Sequence, residues 1–416
     1  MQDINQDSQL ASAPKSAPKT TGAVLAIAVS VFLNFTGFTL ILPVTPFLVA
    51  QYVPPEQVGL YVGVIVSAFA ACAFCAAPVL GALSDRYGRR PILMLSLFGS
   101  AIGYLIFGIG GALWVLFAGR MIDGLTAGNV STIYAYVADT VAPAERGRIY
   151  GLLGAVGGFG FMLGPVAGGL LGSTFPAAPL FFAAALTLGN IAWIYFALPE
   201  TVVHDGPRPA WRWQQVNPLA QLAHVLRMAG LRIPFAAAFS FFFAGTMLQS
   251  NFAVYLKDVL QFGPTGIGWI LFAVGVMDIV SQGFLTRVLL SRIGASALAS
   301  SGLAVTAIGF ALIACLVFVP RVEFLLFSIV VFTLGDGLFQ PSINAIISNA
   351  APADAQGVVQ GANQSQQALA RMLGPLLAAV LSPLSLGAPY WTAGLIALVG
   401  VGLLLKSRQP APFEAG

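Results

Sequence analysis

The sequence predicts an all-α membrane protein of twelve transmembrane helices in two pseudo-symmetric six-helix bundles. Three observations predict it. The apolar residues come in long unbroken runs, with 58% hydrophobic residues and a mean hydropathy of +0.87. Lys and Arg gather in alternate connections between those runs, and short motifs of the first six runs recur at matching places in the last six.

Each run can cross a hydrocarbon core of roughly 30 Å, which takes about 20 residues of helix, because a helix satisfies its backbone groups within the segment. In order, the spans are predicted at 23–50, 58–83, 91–111, 113–138, 147–173, 177–198, 232–257, 265–288, 294–319, 321–349, 356–382 and 387–406. Residues 1–22 are polar, rich in Ser, Ala, Pro and Lys, and lead straight into a full-length run, so they read as a disordered cytoplasmic tail and not as a cleavable signal. Residues 407–416 form a second tail. The N-terminal bundle is 23–198 and the C-terminal bundle 232–406. Between them, 199–231 is the longest polar segment, where Trp211, Trp213, Leu219, Leu222 and Val225 predict a short amphipathic helix on the inner membrane surface.

The net charge of +4 does not point to nucleic acid, because of where the charges lie. Fifteen of the nineteen Lys/Arg fall in alternate connections and the two tails, among them Arg86, Arg89, Arg90, Arg146, Arg148, Arg227 and Arg292. Lys257 and Arg321 lie on the other side, and Arg120 and Arg371 lie inside spans. This asymmetry predicts a multi-pass protein of the cell (inner) membrane with both termini in the cytoplasm. Cys72 and Cys75 form a CxxC on the second span with nothing metal-like around them, so packing is favoured over a redox or metal pair. No metal site and no cofactor are expected. The four lysines offer no phosphate loop.

The internal repeat is carried by several short matches. "DGL" at Asp123–Leu125 recurs at Asp336–Leu338, "APAERG" at Ala142–Gly147 answers "APADAQG" at Ala351–Gly357, and "GPVAGGLL" from Gly164 answers "GPLLAAVL" from Gly374. "LSDRYG" at Leu83–Gly88 has a worn counterpart in "LLSRIG" at Leu289–Gly294. Repeated six-helix halves around a linker suit a transporter that rocks about a site between the halves.

"GALSDRYGRRPI", Gly81 to Ile92, resembles the signature loop between helices two and three of the major facilitator superfamily. "LFAGRMIDG" resembles that superfamily's R-x-x-x-G element through Arg120 and Gly124. "GFMLGPVAGG" is similar to the element of its drug:proton antiporters, at Gly160, Gly164, Pro165, Gly168 and Gly169. The resemblance implies that Asp85 docks near Gln356 and Gly357 at the start of helix eleven, that Arg89 pairs with Asp139, and that this gate of Gly81, Asp85, Arg86, Gly88, Arg89, Arg90 and Asp139 joins the halves on the cytoplasmic side. It implies that the glycine-rich fifth helix flexes and seals the interface, the alternative being ordinary close packing.

The pattern, with "FTGFTLILPVTPFL" in span one, is most similar to the tetracycline-efflux branch, which carries acidic residues where this chain has Asn34 and Gly103. Coupling then falls to other carboxylates or is absent. Arg120, Asp123, Asp278, Asp336 and Arg371 are the ionisable residues inside spans, and a charge at that depth is a functional candidate by default. A carboxyl group alone there favours its neutral form, which suits a proton carrier, so Asp336, Asp278 and Asp123 are the coupling candidates and Arg120 and Arg371 their charge partners. Arg120 and Asp123, three apart, can equally pair as a structural unit. Asn34, Phe35, Phe38, Gln249, Asn251, Gln282 and Gln340 are the substrate-binding candidates.

These features together predict a secondary transporter, not an enzyme. It is expected to be monomeric and driven by the proton gradient, and to export a small lipophilic or cationic compound through the lipid bilayer. A facilitator or symporter for a polar metabolite is the alternative. An intramembrane enzyme or receptor is more distant, since no His, Cys or metal cluster stands at membrane depth.

Overall fold

The computed structural model describes residues 20–202, 218–228, 230–282, 289, 292–352 and 355–406. Within them the chain is helical throughout: α1 (Thr20–Leu40), α2 (Thr45–Val49), α3 (Val58–Tyr87), α4 (Arg89–Ile109), α5 (Leu113–Leu125), α6 (Asn129–Thr140), α7 (Pro143–Gly172) and α8 (Ala178–Ala197) in the first half. A short α9 (Pro218–Val225) precedes α10 (Arg232–Leu260), α11 (Pro264–Val280), α12 (Ala295–Cys315), α13 (Val322–Ala350), α14 (Gln356–Leu381) and α15 (Ala388–Lys406).

Among the described residues, nine helices are long and apolar enough to cross a membrane. The other three spans depart from that pattern for separate reasons. The fourth is split into α5 and α6 at residues 126–128, where the Thr126 hydroxyl donates to the carbonyls of Ile122 (2.9 Å) and Asp123 (3.1 Å), an alternative to continued helix. The eighth, expected to run to 288, is α11, which passes into a π-helical turn at Ser281–Gln282, and 283–288 lie outside the described residues. The eleventh, α14, is too polar, with Gln360, Asn363, Gln364, Gln366, Gln367 and Arg371 along it. The first run is also shorter than expected. Pro43 has no N–H to continue α1, and the chain turns before α2.

The two halves repeat one packing scheme. α1 packs on α7 and α8 as α10 packs on α14 and α15, and α4 packs on α5 and α8 as α12 packs on α13 and α15. α3 packs on α5 as α11 packs on α13. Each half has its own apolar core: Phe235, Phe310, Phe339 and Tyr390 in the second, Leu40, Ile65 and Phe107 in the first. The repeat reaches the backbone. Gly88 (φ 109°) and Gly294 (φ 84°) both precede a helix in a conformation that other residues avoid, at matching places of "LSDRYG" and "LLSRIG".

α9 corrects the linker expectation in part. It packs against α14, and Val225 is fully buried in the core of the second half, so the helix leans on protein as well as on any membrane surface. Leu219 remains exposed, and Trp211 and Trp213 lie outside the described residues, as do the tails at 1–19 and 407–416.

Candidate functional site: a cleft between the halves

The halves touch chiefly along two helix pairs, α7 with α11 and α3 with α14, with smaller contacts of α10 on α2 and α3. Glycine sets how closely. A Cβ at Gly169 would stand 2.5 Å from the Pro264 carbonyl oxygen, and Thr265 Oγ1 donates to the Gly169 carbonyl at 3.2 Å. On the other pair, a Cβ at Gly63 would stand 2.7 Å from the Pro375 oxygen. All these contacts lie toward the end of the bundle remote from the termini. Toward the terminal end a Cβ at Gly81, Gly147, Gly151, Gly154 or Gly158 would meet nothing within 4 Å. Among the described residues the contacts between the halves therefore gather at the far end, with a cleft toward the terminal end.

The glycine-proline element of α7, four glycines and Pro165, divides between two duties. Gly160, Gly164 and Gly168 face α1 of the same half; a Cβ at Gly160 would lie 2.7 Å from the Phe32 oxygen, and one at Gly168 would run into the Leu40 carbonyl. Of the four glycines Gly169 meets α11 across the halves, and there Gly268 answers it against the Pro165 carbonyl. The seal between halves is carried by Gly169, Pro165 and Gly268; the remainder is close packing within one half.

Between the halves lies a cavity of about 560 Å³, lined from the first half by Asn34, Phe35 and Tyr134 and from the second by Asp278, Gln282 and Gln340 among others. Asp278 and Asp336, on α11 and α13, lie within hydrogen-bond reach of each other, and Gln282 reaches Asp278. The expectation of a solitary Asp278 is corrected here. Two carboxylates can only accept, so this contact exists when one of them carries a proton. Asp278 Oδ1 is buried without a partner among the described residues, beside the cavity. Other substrate candidates stand elsewhere. Phe38 packs on Phe69 with ring centroids 5.8 Å apart, and Asn251 is buried facing Gly59 near the far closure. Gln249 is exposed and does not line this cavity.

Asp123 occupies the place in the first half that Asp336 holds in the second, but its surroundings differ. Arg120 Nη1 donates to Asp123 Oδ2 at 2.8 Å, Ser100 adds a hydrogen bond, and the guanidinium lies 4.3 Å from the Phe69 ring centroid. Both residues of the pair are 5% exposed or less. A carboxylate so matched has its charge compensated in place, so Asp123 is better suited to holding α5 against its neighbours than to carrying protons. Arg371 is not a charge partner at all: its side chain is exposed on α14, with no ion pair among the described residues.

The loop at Gly88 is an anchor within one half. Arg89 Nε donates to Asp139 Oδ2 at 2.8 Å, Arg89 Nη1 donates to Ser84 Oγ at 2.8 Å, and Arg89 also pairs with Asp85, so one guanidinium ties the ends of α3 and α6 to the start of α4. Arg90 donates to the Tyr195 carbonyl, with its guanidinium 4.9 Å from that ring's centroid, and Arg86 lies over Tyr87. Asp85 is otherwise exposed, and the side chains of Gln356 and Gly357 lie outside the described residues. The contacts described for this gate therefore link helices of one half, as fits a cleft open at this end.

Sequence reasoning missed Glu200. Its carboxylate accepts from the backbone N–H of Arg89 (2.9 Å) and Arg90 (3.1 Å), the free donors that open α4, and from Thr201 and Val202. The signal was "LPET" at the end of the sixth span, an acid just outside a membrane segment. Also missed was the polar row of α14, hidden because the run was judged by its apolar residues.

The family model described as Major Facilitator Superfamily matches residues 27–263 and 234–415. The chain is 32% identical to the tetracycline resistance protein, class C, of Escherichia coli, over 93% of this chain and 96% of that protein. It is 27% identical to multidrug resistance protein 2 of Bacillus subtilis (strain 168), over 91% and 94%. The crystal structure of the human organic anion transporter MFSD10 (TETRAN) superposes with a TM-score of 0.68 at 26% identity, over 93% of this chain and all of that one.

Proposed function

Because this chain belongs to the major facilitator superfamily, a family of multi-pass membrane transporters, we propose that it is a drug-efflux transporter exchanging protons for small lipophilic or cationic compounds by alternating access. The Asp278–Asp336 contact carries this reading. A pair of carboxyl groups that holds one proton, beside a cavity reached from the terminal end, can release that proton when a cationic centre arrives and recapture one when the centre leaves. Asp123 serves structure through Arg120, and coupling rests on the second half.

The chain sits in the inner membrane with its termini and linker in the cytoplasm, a placement supported by fifteen of nineteen Lys/Arg on that side. The cleft then faces the cytoplasm, where an exporter loads. In this reading the transporter works as a monomer.

Inverted membrane vesicles, acid inside, test this. Addition of a transported compound, with tetracycline and ethidium as first probes, is expected to alkalinise the interior, and Asp336→Asn or Asp278→Asn to abolish the response. Saturable movement of a probe down its own gradient with no proton response would make the chain a facilitator.

A further inference from the structure

α14 shows two exposed faces of opposite character. Val358, Leu373, Leu376 and Val380 form an apolar one, suited to lipid. Gln360, Gln364, Gln367 and Arg371 form the other, at a spacing of four, three and four residues that keeps them on one side of a helix. Gln360, Gln364 and Arg371 are exposed and Gln367 is half-buried. The polar row lies between the side of α14 that meets α10, where Thr246 Oγ1 donates to the Ala370 carbonyl at 2.9 Å, and the side that meets α3 at Pro375 and Ala379. It therefore borders the space between the halves. The neighbouring amides are already committed: Asn363 donates to Asn344 at 3.2 Å and Gln366 donates to Asn363 at 2.8 Å, whereas the row has no side-chain partner among the described residues.

Arg371 stands one helical turn, roughly 6 Å, from Pro375 toward the open end. Asp278 stands about 4.5 Å from Gly275 in the same sense, and a Cβ at Gly275 would meet Met162 of α7 at 3.2 Å. By helix register a guanidinium and a carboxyl pair thus face the space between the halves just inside the two closures, Asp278 lining the cavity of about 560 Å³ and Arg371 standing outside that lining. An unpaired guanidinium within a span is costly, and it is satisfied by a carboxylate-like oxygen pair that its fork can hold in bidentate fashion. A purely cationic compound would leave Arg371 unmatched and so be carried with lower affinity. A purely anionic one would give Asp278 and Asp336 no reason to part with their proton.

The geometry points to a zwitterionic substrate: its acidic group held by Arg371 with amide donors from Gln364 and Gln367, its cationic centre taking the place of the proton at Asp278 and Asp336. This rests on the proton-exchange reading for its second half only; recognition of the acid by Arg371 does not depend on it.

The test uses one fluorescent scaffold in three charge states, with the full-length purified protein: ciprofloxacin (zwitterion), its methyl ester (cation) and its N-acetyl derivative (anion). Ciprofloxacin is expected to bind about tenfold or more tightly than either derivative. Arg371→Gln should weaken ciprofloxacin and the N-acetyl compound about tenfold and leave the methyl ester bound no less tightly than before, which also shows that the variant is folded; Arg371→Lys should recover part of the loss. Equal affinity for ciprofloxacin and its ester, no measurable ciprofloxacin binding, or Arg371→Gln without effect on ciprofloxacin would overturn the proposal. Arg371-dependent binding with no ciprofloxacin-induced proton movement in vesicles would sink proton exchange and leave the acid-recognition site standing.

Discussion

Asp278 on α11 and Asp336 on α13 lie within hydrogen-bond reach of each other, and a bond between two carboxyl groups needs one proton for the pair. The equivalent place in the first half is filled by an ion pair, Arg120 with Asp123 at 2.8 Å. One fold thus satisfies its two repeated aspartates in two ways, one with a fixed charge and one with a removable proton. The predictions below follow from that difference and from the contacts that frame it.

Breaking the Arg120–Asp123 pair from one side strands a buried charge. Asp123→Asn or Arg120→Gln is expected to destabilise the protein by about 3–5 kcal/mol, and the double variant to recover much of the loss. Thermal unfolding in detergent measures both. Equal losses in single and double variants would show that the pair is not a unit.

Glu200 meets four backbone N–H groups at distances from 2.9 to 3.1 Å, two of them at the start of α4. Glu200→Ala is expected to cost about 1–2 kcal/mol, in line with loss of a helix cap, and Glu200→Gln less. The same unfolding assay reads it, and a change below about 0.5 kcal/mol would contradict the capping role.

Gly169 and Gly268 let α7 and α11 meet backbone to backbone at the far end. A methyl group at either position clashes with a carbonyl on the facing helix. Gly169→Ala and Gly268→Ala should therefore shift the population toward the state open at the far end. Reactivity of a cysteine placed at Thr265 toward an impermeant maleimide should rise in both variants, while Gly147→Ala, in open space, leaves it unchanged.

Gln282 reaches Asp278 from the π-helical turn that follows α11. Gln282→Ala should weaken substrate-induced proton movement without abolishing it, since the carboxyl pair survives; complete loss would make Gln282 part of the proton path itself.

Much of the fold was legible in the sequence because membrane burial writes itself in long apolar runs, and the repeat was legible because both halves keep Gly88 and Gly294 at the same turn. The Arg89–Asp139 pairing was reached through resemblance and not through spacing, since fifty residues separate them. Hydropathy could not reveal that Asp278 meets Asp336. Nothing in either helix alone says which face turns to the other, and single-residue depth suggested a solitary acid. The duties of the α7 glycines were equally hidden, because Gly168 and Gly169 are adjacent in sequence yet serve different neighbours on different faces. Hydropathy also obscured the Gln and Arg row of α14, whose polar residues were diluted within an otherwise apolar run.

The central claim is that Asp278 and Asp336 hold a proton between them in the resting protein. Infrared difference spectroscopy of the purified protein at neutral pH, native against the Asp278→Asn/Asp336→Asn double variant, tests it most directly. The account predicts a carboxylic-acid C=O band in the native protein that shifts on deuterium exchange and is absent from the double variant. A native spectrum with no such band, or a band that persists when both aspartates are gone, would contradict it.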